Sequence, residues 1–373
     1  MRGILAGTLV LAALAAPAHA GQIDFVGKVT SPAIVGMSRR PLGDPNFVAL
    51  SPLLYDGQNG AAVTVLDIGG LTITRVATSR YEMVRNFGRK DPQLRLAVPP
   101  GGELVSYRPG RAGLFLQEYV FGGPSRHWYA EIDGHGRVVR SVELGDTVKD
   151  QYMEFAGTDG QNGESWFVVY DLNQAILRRV DLKTLAVSDP ITVQRGARGR
   201  TTGYEEQLFI HSAPDFSRFA LVEYFEDGLG MKPGQVYILD PAQRTYFGVN
   251  APSTAYGVAF APGGQYAYLG SCQHGTVMRL DLATHKIDKK IGGPVFLHHL
   301  AISPDGRSLF ALASSKKYTV YDLDLTSRHD KNHDAEVAPG MEQLFGGGWI
   351  STDGYLVVRE AGIGQDFVVA RLR

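Results

Sequence analysis

From Gly21 onward the chain alternates apolar and polar positions over runs of four to eight residues, separated by short polar turns. A period of two sends successive side chains to opposite faces of a strand, so each run predicts a strand. Few stretches carry the spacing of an amphipathic helix. The pattern is sharpest between Tyr256 and Asp324, where one unit occurs twice. The first copy reads YGVAFAPGGQYAYLGSCQHGTVMRLDLATHKIDKKI and the second HHLAISPDGRSLFALASSKKYTVYDLDLT. Each holds an apolar run, a turn of the form Ala/Ser-Pro-Gly/Asp-Gly, a second run, a polar turn, and a third run ending in Asp-Leu. Pro262 and Pro304 mark the same point in both, roughly 40 residues apart, the period of a propeller blade.

Third runs recur along the chain. They end at Val65-Leu66-Asp67, Ala130-Glu131-Ile132, Val180-Asp181-Leu182, Ile238-Leu239-Asp240, Leu280-Asp281-Leu282, Tyr321-Asp322-Leu323 and Val368-Val369-Ala370. Four-stranded sheets with two apolar faces must be covered on both sides, and radial stacking does this with short edges. The expectation is therefore an all-β, seven-bladed β-propeller with four-stranded blades of about 50 residues each. The last blade is one strand short, and the leading run Ile23 to Val29 is free to pair into it and close the ring. Thr184-Leu185-Ala186-Val187 and His285-Lys286-Ile287 are expected as fourth strands. Stretches around Arg108 to Arg126 and Glu226 to Gly234 exceed the period and contain Gly and Pro, so both are expected as loops.

The chain has 373 residues, with Lys+Arg 37 against Asp+Glu 38 and a net charge of -1. Apolar and charged fractions are ordinary for a globular domain. Basic residues form no stripe interleaved with aromatics, which argues against nucleic-acid binding. Residues 1–20 differ in kind. Arg2 precedes an apolar run from Ile4 to Ala16, and Ala18-His19-Ala20 is a small-x-small cleavage signal. This reads as a secretory signal peptide cleaved after Ala20, placing a single domain of residues 21–373 in the periplasm or outside the cell. No later run is long enough to span a bilayer as a helix. Cys272 is the one cysteine, so an internal disulfide, a Cys-x-x-Cys-His haem attachment and a cysteine metal cluster are all excluded. No intrinsic cofactor is expected.

Residues 253 to 324 resemble the YVTN family of β-propeller repeats. The match rests on Ser303-Pro304-Asp305-Gly306-Arg307-Ser308-Leu309-Phe310 and Thr319-Val320-Tyr321-Asp322-Leu323. The first copy departs at Ala261-Pro262-Gly263-Gly264. The chain is also similar, without a specific motif, to the propeller β-subunit of quinohaemoprotein amine dehydrogenase. That resemblance implies a periplasmic subunit that carries no cofactor and packs against subunits that do.

Blades aligned on their turn prolines place polar residues at the start of each innermost strand. These are Asp44, Asp91, Asp150, Glu206, the pair His298-His299, and Glu342. Innermost strands line the axial channel, so these side chains are expected to meet at one mouth. Gathered carboxylates cannot all stay charged without a counter-charge, which favours a bound divalent cation or protonated amine. His298, His299 and Glu206 are the candidate metal ligands, with only one of the adjacent histidines facing the channel. His329 and His333 have i,i+4 spacing, but lie in a polar stretch expected to be a solvated turn.

No Gly-x-Ser-x-Gly, His-Glu-x-x-His or phosphate-loop motif occurs. The favoured function is an exported, non-catalytic propeller subunit binding a redox or envelope partner, or a small cationic ligand. Two alternatives fit the same residues: a stand-alone lactonase-like hydrolase, and a surface or envelope-binding propeller.

Overall fold

The structure, a computed structural model, describes residues 23–30, 35–37, 40–52, 62–78, 103–118, 125–134, 138–148, 151–195, 205–226, 231–251, 255–271, 274–295, 297–313, 317–332, 349–351, 353–359 and 366–372. The signal-like segment, Asp91, Asp150, Glu342, Cys272 and His333 lie outside them. The described residues are all strand, turn and loop, with no helix, and form seven four-stranded antiparallel sheets arranged as a propeller. None of them forms a helix long and apolar enough to cross a membrane.

Six blades run in chain order from the axis outward. Blade 1 is β2 (Val35–Met37), β3 (Phe47–Pro52), β4 (Ala62–Asp67) and β5 (Thr72–Thr78). Blade 2 is β6 (Glu103–Arg108), β7 (Arg111–Glu118), β8 (Ser125–Asp133) and β9 (Val138–Thr147). Blade 3 is β10 (Tyr152–Asp159), β11 (Glu164–Tyr170), β12 (Gln174–Asp181) and β13 (Ile191–Gln194). Blade 4 is β14 (Glu205–Ser212), β15 (Phe219–Glu226), β16 (Met231–Asp240) and β17 (Thr245–Asn250). Blade 5 is β18 (Ala255–Phe260), β19 (Tyr266–Ser271), β20 (Thr276–Asp281) and β21 (Lys286–Gly292). Blade 6 is β22 (Leu297–Ile302), β23 (Ser308–Ala313), β24 (Lys317–Asp322) and β25 (Arg328–Asn332). Blade 7 holds β26 (Trp349–Ile350), β27 (Tyr355–Arg359) and β28 (Asp366–Leu372), and its fourth strand is β1 (Ile23–Thr30), antiparallel to β28.

Alternation explains why the blades stack. On β8, Trp128, Ala130 and Ile132 face blade 1, while Tyr129 faces blade 3. Both faces of a blade are thus apolar, and the core is distributed over the seams between blades. One cluster joins Phe310, Leu312 and Val320 of blade 6 to Leu356 and Val368 of blade 7. Another joins Val357, Phe367 and Val369 of blade 7 to Val48, Leu50 and Leu66 of blade 1.

The aspartates that end third strands have a local cause. The Asp181 carboxylate accepts from the backbone N–H groups of Lys183 and Thr184, both at 2.8 Å. Asp281 does the same for Ala283 and Thr284, at 2.9 and 2.8 Å. Each side chain satisfies turn donors that the ladder leaves free. The turn prolines act between blades: Pro262 packs on Gly306 and Pro304 on Gly354, each glycine having positive φ.

Four local expectations are corrected. Residues 111–118 are a strand, so most of the stretch from Arg108 to Arg126 is an extended hairpin rather than a loop. The stretch from Glu226 to Gly234 likewise continues as paired strands up to Glu226↔Met231, past a bulge between Val222 and Tyr224. Thr184 and His285 lie in turns, and Leu185 and His285 have positive φ; Val187 makes a single bridge to Val180 and the fourth strand of blade 3 begins at Ile191, while that of blade 5 begins at Lys286 and holds the expected Lys286-Ile287. His329 lies on β25, opposite Val320, where its ladder partner fixes extended backbone instead of a solvated turn.

Candidate ligand-binding site

The connection from β2 to β3 does more than turn. Residues 40–46 leave blade 1 and lie against the first strands of two further blades. The Leu42 carbonyl accepts from Tyr107 N of β6 at 3.0 Å, and the Pro41 carbonyl accepts from Thr158 N of β10 at 2.9 Å. Leu42 forms a parallel bridge with Thr158, is 1% exposed, and joins the core of blades 1 and 2. Arg40 reaches Glu154 of β10 at 2.6 Å, and the Tyr170 hydroxyl donates to the other oxygen of Glu154 at 2.7 Å. Burial, then the charge of Glu154, pushes the Tyr170 hydroxyl up. It stays protonated and donates.

On the outer side of this segment lies a cavity of about 930 Å³ between blades 2 and 3. Its floor is Glu131, placed by β8 with a side chain 6% exposed. Strand pairing sets its partners. Arg140 on β9 is directly opposite Glu131, and Arg111 on β7 is one step along on the diagonal. Arg140 donates through Nε at 2.6 Å to Oε2, and Arg111 through Nη1 at 2.6 Å to Oε1. Arg140 also donates to the Lys183 carbonyl at 2.6 Å and to the Leu182 carbonyl, tying blade 2 to the β12–β13 turn of blade 3. Burial pushes the Glu131 carboxyl up, but hydrogen bonds and charge from Arg111 and Arg140 outweigh it and hold it below the usual carboxylate range. A carboxylate so held is a poor proton acceptor at neutral pH.

The rest of the wall is hydroxyl and backbone. Ser106 Oγ and Tyr129 Oη share a hydrogen bond at 3.1 Å. Room for it comes from Gly113, where a Cβ would lie 2.3 Å from Ser106 Oγ and 2.4 Å from Tyr129 Oη. The β10–β11 turn is held by Asp159, whose carboxylate accepts from Gln161 N and Asn162 N at 2.9 and 3.1 Å. Arg108 and Lys183 stand at the rim.

The residues expected at the channel mouth are placed unevenly. Glu206 is near the start of β14 and His298 near the start of β22, both at one end of the first strands. His299 follows, paired to Leu312 and close to the backbone of Gly257 in blade 5. A bulge between Leu297 and His299 interrupts the alternation of the strand at the histidine pair. Asp44 is a correction. It lies after β2, in the connection leading to β3, at the other end of the ring from Glu206 and His298. The reason is that Asp44-Pro45 occupies the turn that Ala261-Pro262 and Ser303-Pro304 occupy in blades 5 and 6. Its carboxylate accepts from Asn46 N at 3.0 Å and lines the cavity described above. Among the described residues no group of three or more His, Cys, Asp or Glu side chains is arranged to hold a metal.

Sequence reasoning missed Arg108, Arg111, Glu131, Arg140 and Lys183. A signal was present: Glu131 is a charge inside the otherwise apolar third run Ala130-Glu131-Ile132, with arginines on both flanking runs.

No protein-family model matches the chain, and no curated protein matches its sequence. In fold it is similar to a chain of the solved structure titled "Crystal Structure of Mitotic Checkpoint Complex". The TM-score is 0.55 at 12% identity, covering 99% of this chain and 98% of that one. At that identity the likeness concerns the propeller fold alone.

Proposed function

We propose that this chain is an exported binding propeller, without chemistry of its own, that presents a ligand or partner site on the face built by blades 1 to 3. The observation that carries this reading is the segment 40–46, which crosses from blade 1 to blade 3 and walls a polar cavity between rigid sheets. Loops braced on a rigid scaffold are where binding residues concentrate. The polar groups in the cavity are arranged for holding rather than for reaction. Glu131 is kept ionised by two guanidiniums, and the Ser106 hydroxyl is shared with Tyr129.

Export is supported by the leader-like residues 1–20. The partner proposed is a cofactor-bearing subunit of the amine-dehydrogenase type, on the resemblance drawn from the sequence. At the opposite end of the ring, where Glu206 and His298 are the second residues of β14 and β22, we propose a cation or protonated amine. A melting series with EDTA, Ca²⁺, Zn²⁺ and simple amines tests that end. A saturating ligand at a hundredfold excess over Kd stabilises by about 2.7 kcal/mol, and an unchanged melt contradicts it. The function as a whole is tested by isolating the full chain from its native host and identifying what stays bound. Turnover of lactones by the chain alone overturns it in favour of a hydrolase.

A further inference from the structure

We propose that the cavity between blades 2 and 3 binds a small anionic molecule carrying a carboxylate or phosphate group. This rests on the reading of that face as a binding face, and names the chemistry of its ligand.

The argument is an account of donors and charges. Four cationic side chains line the cavity, Arg108, Arg111, Arg140 and Lys183, against three carboxylates, Asp44, Glu131 and Asp181. Both oxygens of Glu131 accept from Arg111 and Arg140, Oδ1 of Asp181 accepts from its own turn, and Oδ1 of Asp44 accepts from Asn46. Arg140 is committed to Glu131 and to two carbonyls of blade 3.

Arg111 gives Nη1 to Glu131, while Arg108 stands 3.8 Å from the same oxygen. The two are the closing pair of the β6–β7 hairpin, directly opposite each other across a tight turn. Like charges at directly opposed positions repel. Glu131 relieves only one of them: it takes a 2.6 Å contact from Arg111, while Arg108 approaches the same oxygen no closer than 3.8 Å. The Arg108 guanidinium therefore presents donors toward the cavity, in a lining of four cations against three carboxylates. Lys183 is the cation on the facing turn. Guanidinium forks match planar carboxylates and phosphates in two-point contacts.

The Ser106–Tyr129 hydroxyl pair offers neutral donors deeper in, and Leu42 and Ala112 supply apolar wall. The volume, about 930 Å³, suits a small molecule. The site is opposite in charge preference to the amine site proposed for the far end of the ring.

The test is calorimetric titration of the full chain with inorganic phosphate, succinate and citrate, with sucrose and putrescine as neutral and cationic controls. Each anion is repeated at low and high NaCl. The expected result is one-site binding of at least one anion, weakened by salt, with no heat from either control. Arg108→Gln and Lys183→Gln are exposed substitutions that leave the Glu131 cluster in place. Arg108→Gln is expected to weaken the anion at least tenfold, and Lys183→Gln by a smaller factor. Binding that is unchanged in Arg108→Gln, or binding of putrescine in place of the anions, overturns the proposal. Absence of anion binding in a chain that still holds a partner when isolated from its host removes this inference and leaves the binding reading standing.

Discussion

Gly160 of blade 3 sits against the backbone of Gly43 from blade 1. A Cβ built on Gly160 would lie 1.8 Å from the Gly43 carbonyl oxygen and 2.6 Å from its carbon. Both atoms are backbone, so no side-chain rotation relieves the overlap. Gly43 itself has φ +95, a conformation that favours glycine. The wall of the cavity is thus seated by two residues whose one essential property is the lack of a side chain.

Gly160→Ala is expected to unseat the segment 40–46 and loosen the bonds from Thr158 N and Tyr107 N, lowering stability by about 2–4 kcal/mol. Gly163→Ala is the control. Its φ is +68 but a Cβ there meets nothing within 4 Å, so it costs only backbone strain, about 1–2 kcal/mol. Urea unfolding of both variants checks the order. Equal losses would mean that the close approach does not hold the segment.

The contact between Pro304 and Gly354 is expected to couple blades 6 and 7 energetically. A Cβ at 354 would be 2.2 Å from Pro304 Cγ. Gly354→Ala should therefore destabilise more in the wild type than in a Pro304→Ala background, with a coupling of about 1 kcal/mol. A double-mutant cycle by denaturant unfolding measures it, and additivity speaks against the wedge.

His127 gives the fold an acid sensitivity. It is 1% exposed, stacks on Phe115, and its Nε2 bonds Thr147 Oγ1 at 2.9 Å. Burial lowers its pKa from 6.5 to about 4, against the opposing charge of Asp146. The unfolded chain takes the proton more readily, so stability is full above pH 6.5 and falls as the pH drops toward 4. The fall amounts to about 3 kcal/mol. Melting temperatures across that range, in wild type and His127→Gln, should diverge, with the variant losing the slope between pH 6.5 and 4.

Glu131→Gln removes the carboxylate that Arg111 and Arg140 share. Removing one partner of a buried pair costs about 3–5 kcal/mol, and these guanidiniums are 46% and 32% exposed. A loss of about 2 kcal/mol at pH 7 is expected after that discount. Because the Glu131 pKa is depressed in the folded state, its contribution is present above its ordinary value and is lost as the pH falls through the folded value. The wild type and Glu131→Gln should therefore converge in stability in acid. A constant gap across the titration would contradict the assignment.

The blade count could be read from the sequence because its markers are local. Asp181, Asp281 and Asp322 end third strands and immediately take turn N–H groups, a relation that spans two to four residues. The strand that completes blade 7 was legible by subtraction, since one blade lacked a strand and Ile23 to Val29 had no other place. The cavity was not legible, because its charges come from three adjacent strands and meet only through register. Glu131 looked like one residue of a repeat end, and its arginines lie on runs before and after it. Asp44 was misplaced because Pro45 resembles Pro262 and Pro304, while the strand before it, Val35–Met37, is too short to announce itself. The long hairpins around Arg111 and Met231 were read as loops because Gly and Pro signal turns, yet antiparallel pairing absorbs both.

The most direct measurement is isolation of the full chain from its native host under non-denaturing conditions, followed by native mass spectrometry and a lactone hydrolysis assay on the same fractions. The binding account predicts a mass above that of the bare chain, with a small anion or a cofactor-bearing partner released on unfolding, and no hydrolysis by the chain alone. A bare chain that hydrolyses lactones would contradict it.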